Sequence, residues 1–391
     1  MARFLLVVPP FAGHVNPTVS VGMQLMSRGH TVAWTGYESK VRALLPAQAT
    51  LIPLEERFPP DFLDRLLQTG IHLHGLEALK SVFQDRFIPL ARAMYPAVDA
   101  VAEAFQPDVL LSDFETFAGA LVAQQRKLRW ATSSCTSATV VSHLTIPPKI
   151  ASWVASLLSG LQQDLGLSCR FENYFSPRLV LVYSTRELVG SEPPFPAHFQ
   201  LVGPSISDRP SPAPFPWAAL GSDVPRILVS LGSIYPEIGK RFYQEVFQAF
   251  AGERLQVILV ARENDLDRLP HEVPENFIVR PHIPQMALLP HVQAVVSHAG
   301  HNTVVETLSH GLPMVLAPIR DDQPAVSHQV VNAGAGLRVK FRRVKADELR
   351  QAVLRVLSEP HFRSAAERIR SSFQQAGGAS RAAWLLEQLL V

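Results

Sequence analysis

Two polar residues that follow apolar segments could carry acid–base chemistry. His14 comes shortly after the run RFLLVVP, and Asp113 ends the run PDVLLSD. A neutral imidazole can take a proton from a hydroxyl group, and a buried carboxylate can bind its other nitrogen and stabilise the imidazolium that forms. If the two runs are strands of one parallel sheet, both side chains emerge at the same sheet edge. The pair is therefore a candidate general base with its orienting carboxylate.

The residues after His14 predict the start of a helix. Asn16 is suited to the N-cap and Pro17 to the first helical position. The positive end of that helix would disfavour an imidazolium ion, so we expect His14 to be neutral near pH 7. By residue type alone, a histidine before a helix is also typical of a capping or packing residue, and an aspartate at a strand end is also typical of a turn.

The segment VSHAGHNTVVETLSHG, residues 296–311, predicts a phosphate site. A strand would end at His298, and after an Ala-Gly turn a helix would begin near Asn302 or Thr303. The N–H groups and the positive dipole at such a helix start can bind phosphate. Glu306 falls on the same helix face as Asn302, one turn further on. An ordinary strand, turn and capped helix is the alternative.

This segment resembles the phosphate and ribose element of the family 1 inverting glycosyltransferases. The resemblance extends to the run His282-Ile-Pro-Gln285, which is similar to the family's Trp-Val-Pro-Gln, and to Asp322-Gln323, which is similar to its acidic-Gln pair. Ser233 matches the Gly-Ser/Thr that follows the first strand of the nucleotide domain. Family members also carry a catalytic histidine in their first loop and an aspartate partner at the end of a later strand.

The resemblance implies a role for each matching residue. The general base and its carboxylate partner would be His14 and Asp113. The diphosphate would be held by His298, Gly300, Asn302, Thr303 and Ser233. The base and ribose of the nucleotide would be bound by His282, Ile283, Gln285 and Glu306, and the transferred sugar by Asp322 and Gln323.

Two residues depart from the family's pattern. His282 stands where the family has a tryptophan that stacks on the base, so stacking should be weaker. His301 replaces a second tryptophan, and we expect it to face solvent or the sugar. A carboxylate accepts hydrogen bonds from vicinal hydroxyls, so Glu306 favours UDP over dTDP sugars, although one lost hydrogen bond does not exclude dTDP.

The sequence predicts neither a metal nor another cofactor. The adjacent carboxylates Asp321 and Asp322 are more typical of a helix start, whose dipole they complement, than of a metal site. No HExxH or CxxC motif is present. The leaving diphosphate would then be stabilised by a helix start and neutral side chains.

Both halves of the chain alternate strand-like and helical segments. RFLLVVP and RILVSLG open the halves as apolar runs that are typical of buried parallel strands. Between them, Pro204–Pro225 contains six prolines and predicts an extended linker, with a long loop inside one domain as the alternative. With the resemblance, this predicts an α/β protein of GT-B architecture, with two doubly wound, Rossmann-like domains facing an interdomain cleft. Residues 1–203 would bind the acceptor and residues 226–391 the nucleotide sugar, and Arg381–Leu390 would cross back to the first domain.

The composition excludes several classes of protein. With 36 Lys+Arg against 34 Asp+Glu in 391 residues and no run of five like charges, nucleic acid is not an expected partner. An apolar fraction of 47% indicates a large core. The first apolar run is too short for a signal or a membrane span, and Cys135 and Cys169 suggest two buried thiols, so we expect a cytoplasmic protein without stable membrane insertion.

These observations predict an inverting, metal-independent hexosyltransferase. The donor would be UDP-glucose or a similar nucleotide sugar, and the acceptor a hydroxyl of a small hydrophobic molecule such as a polyketide, macrolide or flavonoid, as in antibiotic biosynthesis. A nucleotide-sugar epimerase or hydrolase, or a non-catalytic nucleotide-sugar-binding protein, is the alternative. Monomer and dimer both remain open. Aromatic residues that could line an acceptor pocket, most of them expected in the core, are Phe58, Phe62, Phe83, Phe87, Phe114 and Trp153.

Overall fold

Two parallel sheets organise the chain, which confirms the predicted pair of doubly wound α/β domains. The computed structural model describes residues 1–56, 58–70, 73, 75–168, 171, 173–206, 214–232, 236–261 and 273–391. These residues form two compact units. The first comprises Met1–Ser184, Pro193–Ser207 and Ala376–Val391, and the second comprises Thr185–Glu192 and Asp208–Gln375.

The first unit contains a seven-stranded sheet in the order β3-β2-β1-β4-β5-β6-β7. Its strands are β1 Arg3–Val7, β2 Thr31–Tyr37, β3 Thr50–Leu54, β4 Val109–Asp113, β5 Arg129–Ser134, β6 Val180–Val182 and β7 Phe199–Leu201. All neighbouring strands are parallel. The strand order reverses between β1 and β4, and such a switch point leaves a crevice at the carboxyl ends of the two strands.

The second unit repeats this arrangement with six parallel strands in the order β10-β9-β8-β11-β12-β13. Its strands are β8 Arg226–Ser230, β9 Gln256–Val260, β10 Phe277–Arg280, β11 Ala294–Ser297, β12 Met314–Leu316 and β13 Gly336–Arg338. Here the strand order reverses between β8 and β11. The sequence does not predict β3, β6, β7 or β10, two of which are only three residues long.

Helices pack on the sheets in both units. Those of the first unit are Ala12–Ser27, Glu38–Val41, Phe62–Gln68, Gly75–Ser81, Ile88–Phe105, Phe117–Gln125, Ser137–Leu144, Pro148–Asp164 and Gly378–Glu387, with a π-helical segment at Val82–Phe87. Those of the second unit are Arg186–Val189, Pro236–Phe250, Gln285–Leu288, His301–Leu308, Gln323–Asn332, Ala346–Ser358 and Pro360–Ala376. No helix among the described residues is long and apolar enough to span a bilayer.

The first helix begins earlier than the sequence predicts. It starts at Ala12 after an extended Phe11, so the prediction of Asn16 as N-cap and Pro17 as first residue is wrong. Pro17 is tolerated in the second turn because its ring removes only one of the earliest intrahelical hydrogen bonds. His14 is therefore a residue of the first helical turn, and the backbone N–H of His14 donates to the Phe11 carbonyl at 2.9 Å.

A buried indole fixes this helix against the sheet. Trp34 of β2 is fully buried and donates from Nε1 to Thr18 Oγ1 at 3.0 Å, while Thr18 donates to the Val15 carbonyl at 2.7 Å. Gly22 permits the close approach, since a Cβ there would overlap the Trp34 ring. Burying an aromatic side chain of this size contributes about 2–3 kcal/mol, so the backbone that carries His14 is firmly seated.

The last helix, Gly378–Glu387, packs within the first unit. Ala382, Ala383 and Leu386 are fully buried in its core, and Glu387 forms an ion pair with Arg28 at 2.8 Å. The second unit includes 185–192 because Thr185 hydrogen-bonds Ser372 at 2.7 Å and Glu187 pairs with Arg368 at 3.0 Å. These unit bounds differ from the predicted domain boundaries. The linker Pro204–Pro225 stays a prediction, because 207–213 lie outside the described residues.

Candidate active site

The first unit brings His14 and Asp113 together at its switch point. His14 follows β1 and Asp113 ends β4, the two strands at which the sheet order reverses. Nδ1 of His14 and Oδ1 of Asp113 are 2.9 Å apart, and the Asp113 side chain is fully buried. Oδ1 also accepts the backbone N–H of Glu115 at 2.9 Å. The hydrogen bond to the carboxylate thereby orients the imidazole, and Nε2 is the ring nitrogen that does not contact Asp113.

The electrostatics around His14 differ from the expectation of a low proton affinity. Burial lowers the pKa of His14, but electrostatic interactions with Asp113, Cys135 and Glu115, together with the hydrogen bond between its ring and the Asp113 carboxylate, raise it well above its usual value of 6.5. The helix end, on which the prediction of a neutral ring was based, therefore does not by itself determine the proton affinity of His14. Two carboxylates within hydrogen-bonding or ion-pairing distance raise the pKa of the imidazole more than a partial helix charge lowers it.

Three residues near His14 belong to no sequence motif, so sequence reasoning did not place them in the site. Glu115 Oε1 lies 3.7 Å from Nε2 of His14, and Arg86 donates to the same oxygen at 3.3 Å. The sulfur of Cys135 lies 3.5 Å from Nδ1. Cys135 is buried as predicted, and burial raises the pKa of its thiol to about 12, so it is uncharged at neutral pH. Cys169 lies outside the described residues.

His14, Asp113 and Cys135 also include the donor types that metals use. Their ligand atoms lie within 4.8 Å of one another. Because Nδ1 of His14 is already hydrogen-bonded to Asp113, we interpret these residues as an acid–base cluster. The absence of a metal requirement stays a prediction.

Aromatic rings give the base an apolar surrounding. The ring centroid of Phe114 lies 5.3 Å from that of His14, and the ring centroid of Phe11 lies 5.8 Å from it. Phe83, Phe87 and Phe114 are buried in the core of this unit. The remaining aromatic candidates, Phe58, Phe62 and Trp153, are partly buried against the same core.

In the second unit, His298 stands at the switch point between β8 and β11. Its ring lies between two glycines: a Cβ at Gly232 would lie 2.5 Å from the ring, and a Cβ at Gly300 would collide with Nε2. Ala299, in between, adopts a left-handed φ of 68°. Backbone strain of this kind costs about 1–3 kcal/mol and occurs at sites where the local geometry is needed. The loop thus holds His298 at the start of the helix His301–Leu308.

The His298 ring is neutral at physiological pH. Burial lowers its pKa to about 4; a hydrogen bond with the backbone of Ser230 opposes this shift, and the positive charge of Arg320 adds to it. A neutral imidazole can donate one hydrogen bond to a phosphate oxygen. Sequence reasoning missed Arg320, which pairs with Asp321 at 3.4 Å and whose positive charge acts on His298.

Gln285 and Glu306, the predicted ribose ligands, contact each other. Nε2 of Gln285 donates to Oε2 of Glu306 at 2.6 Å. Glu306 is buried and Gln285 half-buried. A short bond to an ionised carboxylate is among the stronger hydrogen bonds in proteins, so Gln285 fixes the orientation of Glu306.

The predicted sugar ligands lie at the start of the helix Gln323–Asn332. Asp322 is its N-cap, and Gln323 is buried. Oε1 of Gln323 accepts the backbone N–H groups of Ile319 and Arg320 at 2.9 and 3.1 Å. Gln323 thus stabilises its own loop through its side-chain oxygen. A sugar hydroxyl would be bound by its side-chain nitrogen.

The remaining predicted donor residues show different exposures. Gly300, Asn302, Thr303 and Ile283 are half-buried, and His282 is exposed. His301 begins the helix His301–Leu308 and is buried, so of the two expected positions the one facing solvent is wrong, and the one facing the sugar stays a prediction. Ser233 lies outside the described residues.

Two doubly wound parallel sheets with polar residues at both switch points define a protein of the GT-B class. Residues 223–375 match the model of the family described as UDP-glucoronosyl and UDP-glucosyl transferase. The full-length relatives below extend this match, and the chain belongs to this family. It is a glycosyltransferase.

Relatives match over the whole chain. It is 30% identical to the 4'-demethylrebeccamycin synthase of Lentzea aerocolonigenes, with 100% of both chains covered. It is 29% identical to the demethyllactenocin mycarosyltransferase of Streptomyces fradiae, covering 100% of this chain and 87% of that protein. Among solved structures, the glycotransferase of kitacinnamycin superimposes with a TM-score of 0.81 at 26% identity, covering 100% of this chain and 99% of the other.

Proposed function

We propose that the protein transfers a hexose from a nucleotide sugar, UDP-glucose or a similar donor, to a hydroxyl of a small hydrophobic natural product such as a polyketide, macrolide or flavonoid. The observation that carries this proposal is the 2.9 Å contact between His14 and Asp113 at a sheet switch point. The names of two relatives, 4'-demethylrebeccamycin synthase and demethyllactenocin mycarosyltransferase, support an acceptor of this class. The rings of Phe11 and Phe114 beside His14 suit an apolar acceptor.

In the proposed mechanism, His14 is the general base. Nδ1–H of His14 donates to Asp113, so Nε2 receives the proton of the acceptor hydroxyl as its oxygen attacks the anomeric carbon. The carbon–diphosphate bond breaks on the opposite face, which inverts the configuration. Asp113 stabilises the imidazolium that results.

The proposed leaving group is a nucleoside diphosphate held by the second unit. Charge on its oxygens would be stabilised by the helix start at Gly300–Thr303, by the neutral His298 and by the positive charge of Arg320. Ser233 would add a hydroxyl donor by resemblance. Gln285 and Glu306 would bind the ribose, His282 and Ile283 the base, and Asp322 and Gln323 the sugar.

Because these groups replace a divalent cation electrostatically, we expect transfer to persist without metal. Initial rates after dialysis against EDTA should equal those with added Mg²⁺ within about twofold. The check is a rate measurement with UDP-glucose on the same protein sample before and after dialysis. Loss of activity on dialysis and its rescue by Mg²⁺ would show that a metal supplies the missing charge.

We expect Glu306 to give a preference for ribose over 2'-deoxyribose. The ribose 2'-hydroxyl would donate to the carboxylate that Gln285 orients, and a hydrogen bond to a charged group contributes about 1.5–3 kcal/mol. Glu306→Gln should therefore lower kcat/KM for UDP-glucose by about tenfold or more, and lower it less for dTDP-glucose. Glu348→Gln makes the same change at an exposed carboxylate on the helix Ala346–Ser358 and is the matched control. An equal loss with both donors, or a wild-type preference for dTDP-glucose, would remove this role.

A donor-only reaction separates the alternatives. An epimerase or hydrolase would consume UDP-glucose without an acceptor, and a binding protein would not consume it at all. Mass spectrometry of UDP- and dTDP-sugars incubated with and without a panel of polyketide, macrolide and flavonoid acceptors tests all three. Acceptor-dependent appearance of a glycoside supports the proposal, and acceptor-independent donor loss favours the alternative enzymes.

A further inference from the structure

Glu115 combines two contacts at the candidate base. Its backbone N–H donates to Asp113 Oδ1 at 2.9 Å, while its side chain brings Oε1 to 3.7 Å from Nε2 of His14. The side chains of His14, Glu115 and Arg86 are 15%, 6% and 12% exposed. A carboxylate this enclosed is costly unless it is paired. Arg86, on the π-helical segment Val82–Phe87, supplies that pairing at 3.3 Å.

We propose that Glu115, held by Arg86, is a positioning residue for the base: it faces the nitrogen of His14 that receives the acceptor proton and stabilises the positive charge formed there. The inference rests on the proposed function, in which His14 is the base. Since Nδ1 is hydrogen-bonded to Asp113, the incoming proton is bound at Nε2. The imidazolium then lies between two carboxylates, one at each ring nitrogen.

The groups around the ring set the direction of each effect. Asp113 and Cys135 face Nδ1, Glu115 faces Nε2, and Arg86 pairs with Glu115. The flanking rings of Phe11 and Phe114 are uncharged. Glu115 is among the groups that raise the pKa of His14. Removing the carboxylate should lower the proton affinity of His14, and removing the guanidinium should raise it, because Glu115 would then act unneutralised.

The test is the titration of His14 in the whole protein without substrate. In ¹H–¹⁵N spectra of protein labelled in its histidines, with the His14 resonance identified by its loss in His14→Ala, Glu115→Gln should lower the titration midpoint by about one pH unit. Arg86→Gln should shift it in the opposite direction. The acid limb of kcat/KM should move with each midpoint, and kcat of Glu115→Gln should fall about tenfold.

Two further variants complete the experiment. Glu103→Gln removes an exposed carboxylate of the same unit that pairs with Arg126 and should move neither the midpoint nor the rate. Glu115→Asp retains the charge and should recover part of the shift. If Glu115→Gln fails to fold, Arg86→Gln should still raise the titration midpoint of His14 and Glu115→Asp should still lower it slightly. The proposal is overturned if the midpoints stay at the wild-type value or move in the same direction, whatever the outcome for transfer, because the titration requires no turnover.

Discussion

Replacing His14 by alanine is expected to lower the rate of glycosyl transfer by about 10³-fold and to leave nucleotide binding unchanged. The imidazole contacts Asp113 within the first unit, whereas the proposed donor residues belong to the second. The substitution therefore removes the proton acceptor without altering a donor contact. Initial rates with UDP-glucose and calorimetric titration with UDP measure the two effects separately.

An exposed histidine provides the control for this variant. His328 is exposed on the helix Gln323–Asn332 and is not among the proposed site residues, so His328→Ala should preserve rate and UDP affinity alike. Retention of more than about one tenth of the rate by His14→Ala would remove His14 from the role of general base. Loss of UDP affinity in parallel with the rate would instead indicate a structural defect.

Long apolar runs made most of the fold predictable. A strand buried on both faces needs a continuous apolar sequence, and Arg226–Ser230 and Ala294–Ser297 have one. Strands such as Val180–Val182 have only three residues. Over that length, periodicity does not separate a strand from a turn or a helix. The neighbouring strand β5, not the local sequence, determines β6.

The helix start at Ala12 shows how context overrides a local rule. Asn16 and Pro17 together have the composition of a helix N-terminus, yet the backbone is already helical five residues earlier. One missing hydrogen bond in the second turn is a small cost against the packing of Val15, Thr18 and the buried Trp34. Packing energies of this kind depend on residues of another element, here the strand β2.

The proximity of the two strand-end residues was predictable from topology, whereas the side-chain contacts around them were not. His14 and Asp113 follow neighbouring strands, so their proximity can be derived from topology. Glu115 and Cys135 follow β4 and β5 and contact the His14 ring, and Arg86, from the π-helical segment, pairs with Glu115. The charge state of His14 could not be derived without them, because the nearest charges determine a buried pKa.

Replacing Asp113 by asparagine is expected to lower kcat by about 10³-fold, close to the effect of removing His14 itself. The asparagine oxygen can still accept the backbone N–H of Glu115, so the loop should keep its shape. What disappears is the negative charge that stabilises the imidazolium and fixes Nδ1 as the protonated nitrogen. A steady-state assay with saturating UDP-glucose measures the loss.

The pH dependence distinguishes this electrostatic role from loss of structure. The pKa of His14 is raised above 6.5 by Asp113 among other groups, so the wild-type base becomes neutral, and kcat/KM rises, only as the pH increases through that raised value. Asp113→Asn removes one raising charge and should move this acid limb to lower pH while the plateau rate falls. Asp164→Asn, in an exposed ion pair with Arg92, should change neither, because surface pairs contribute about 0–1 kcal/mol. A lowered plateau with an unmoved acid limb would mean that Asp113 supports the loop without acting on the charge of His14.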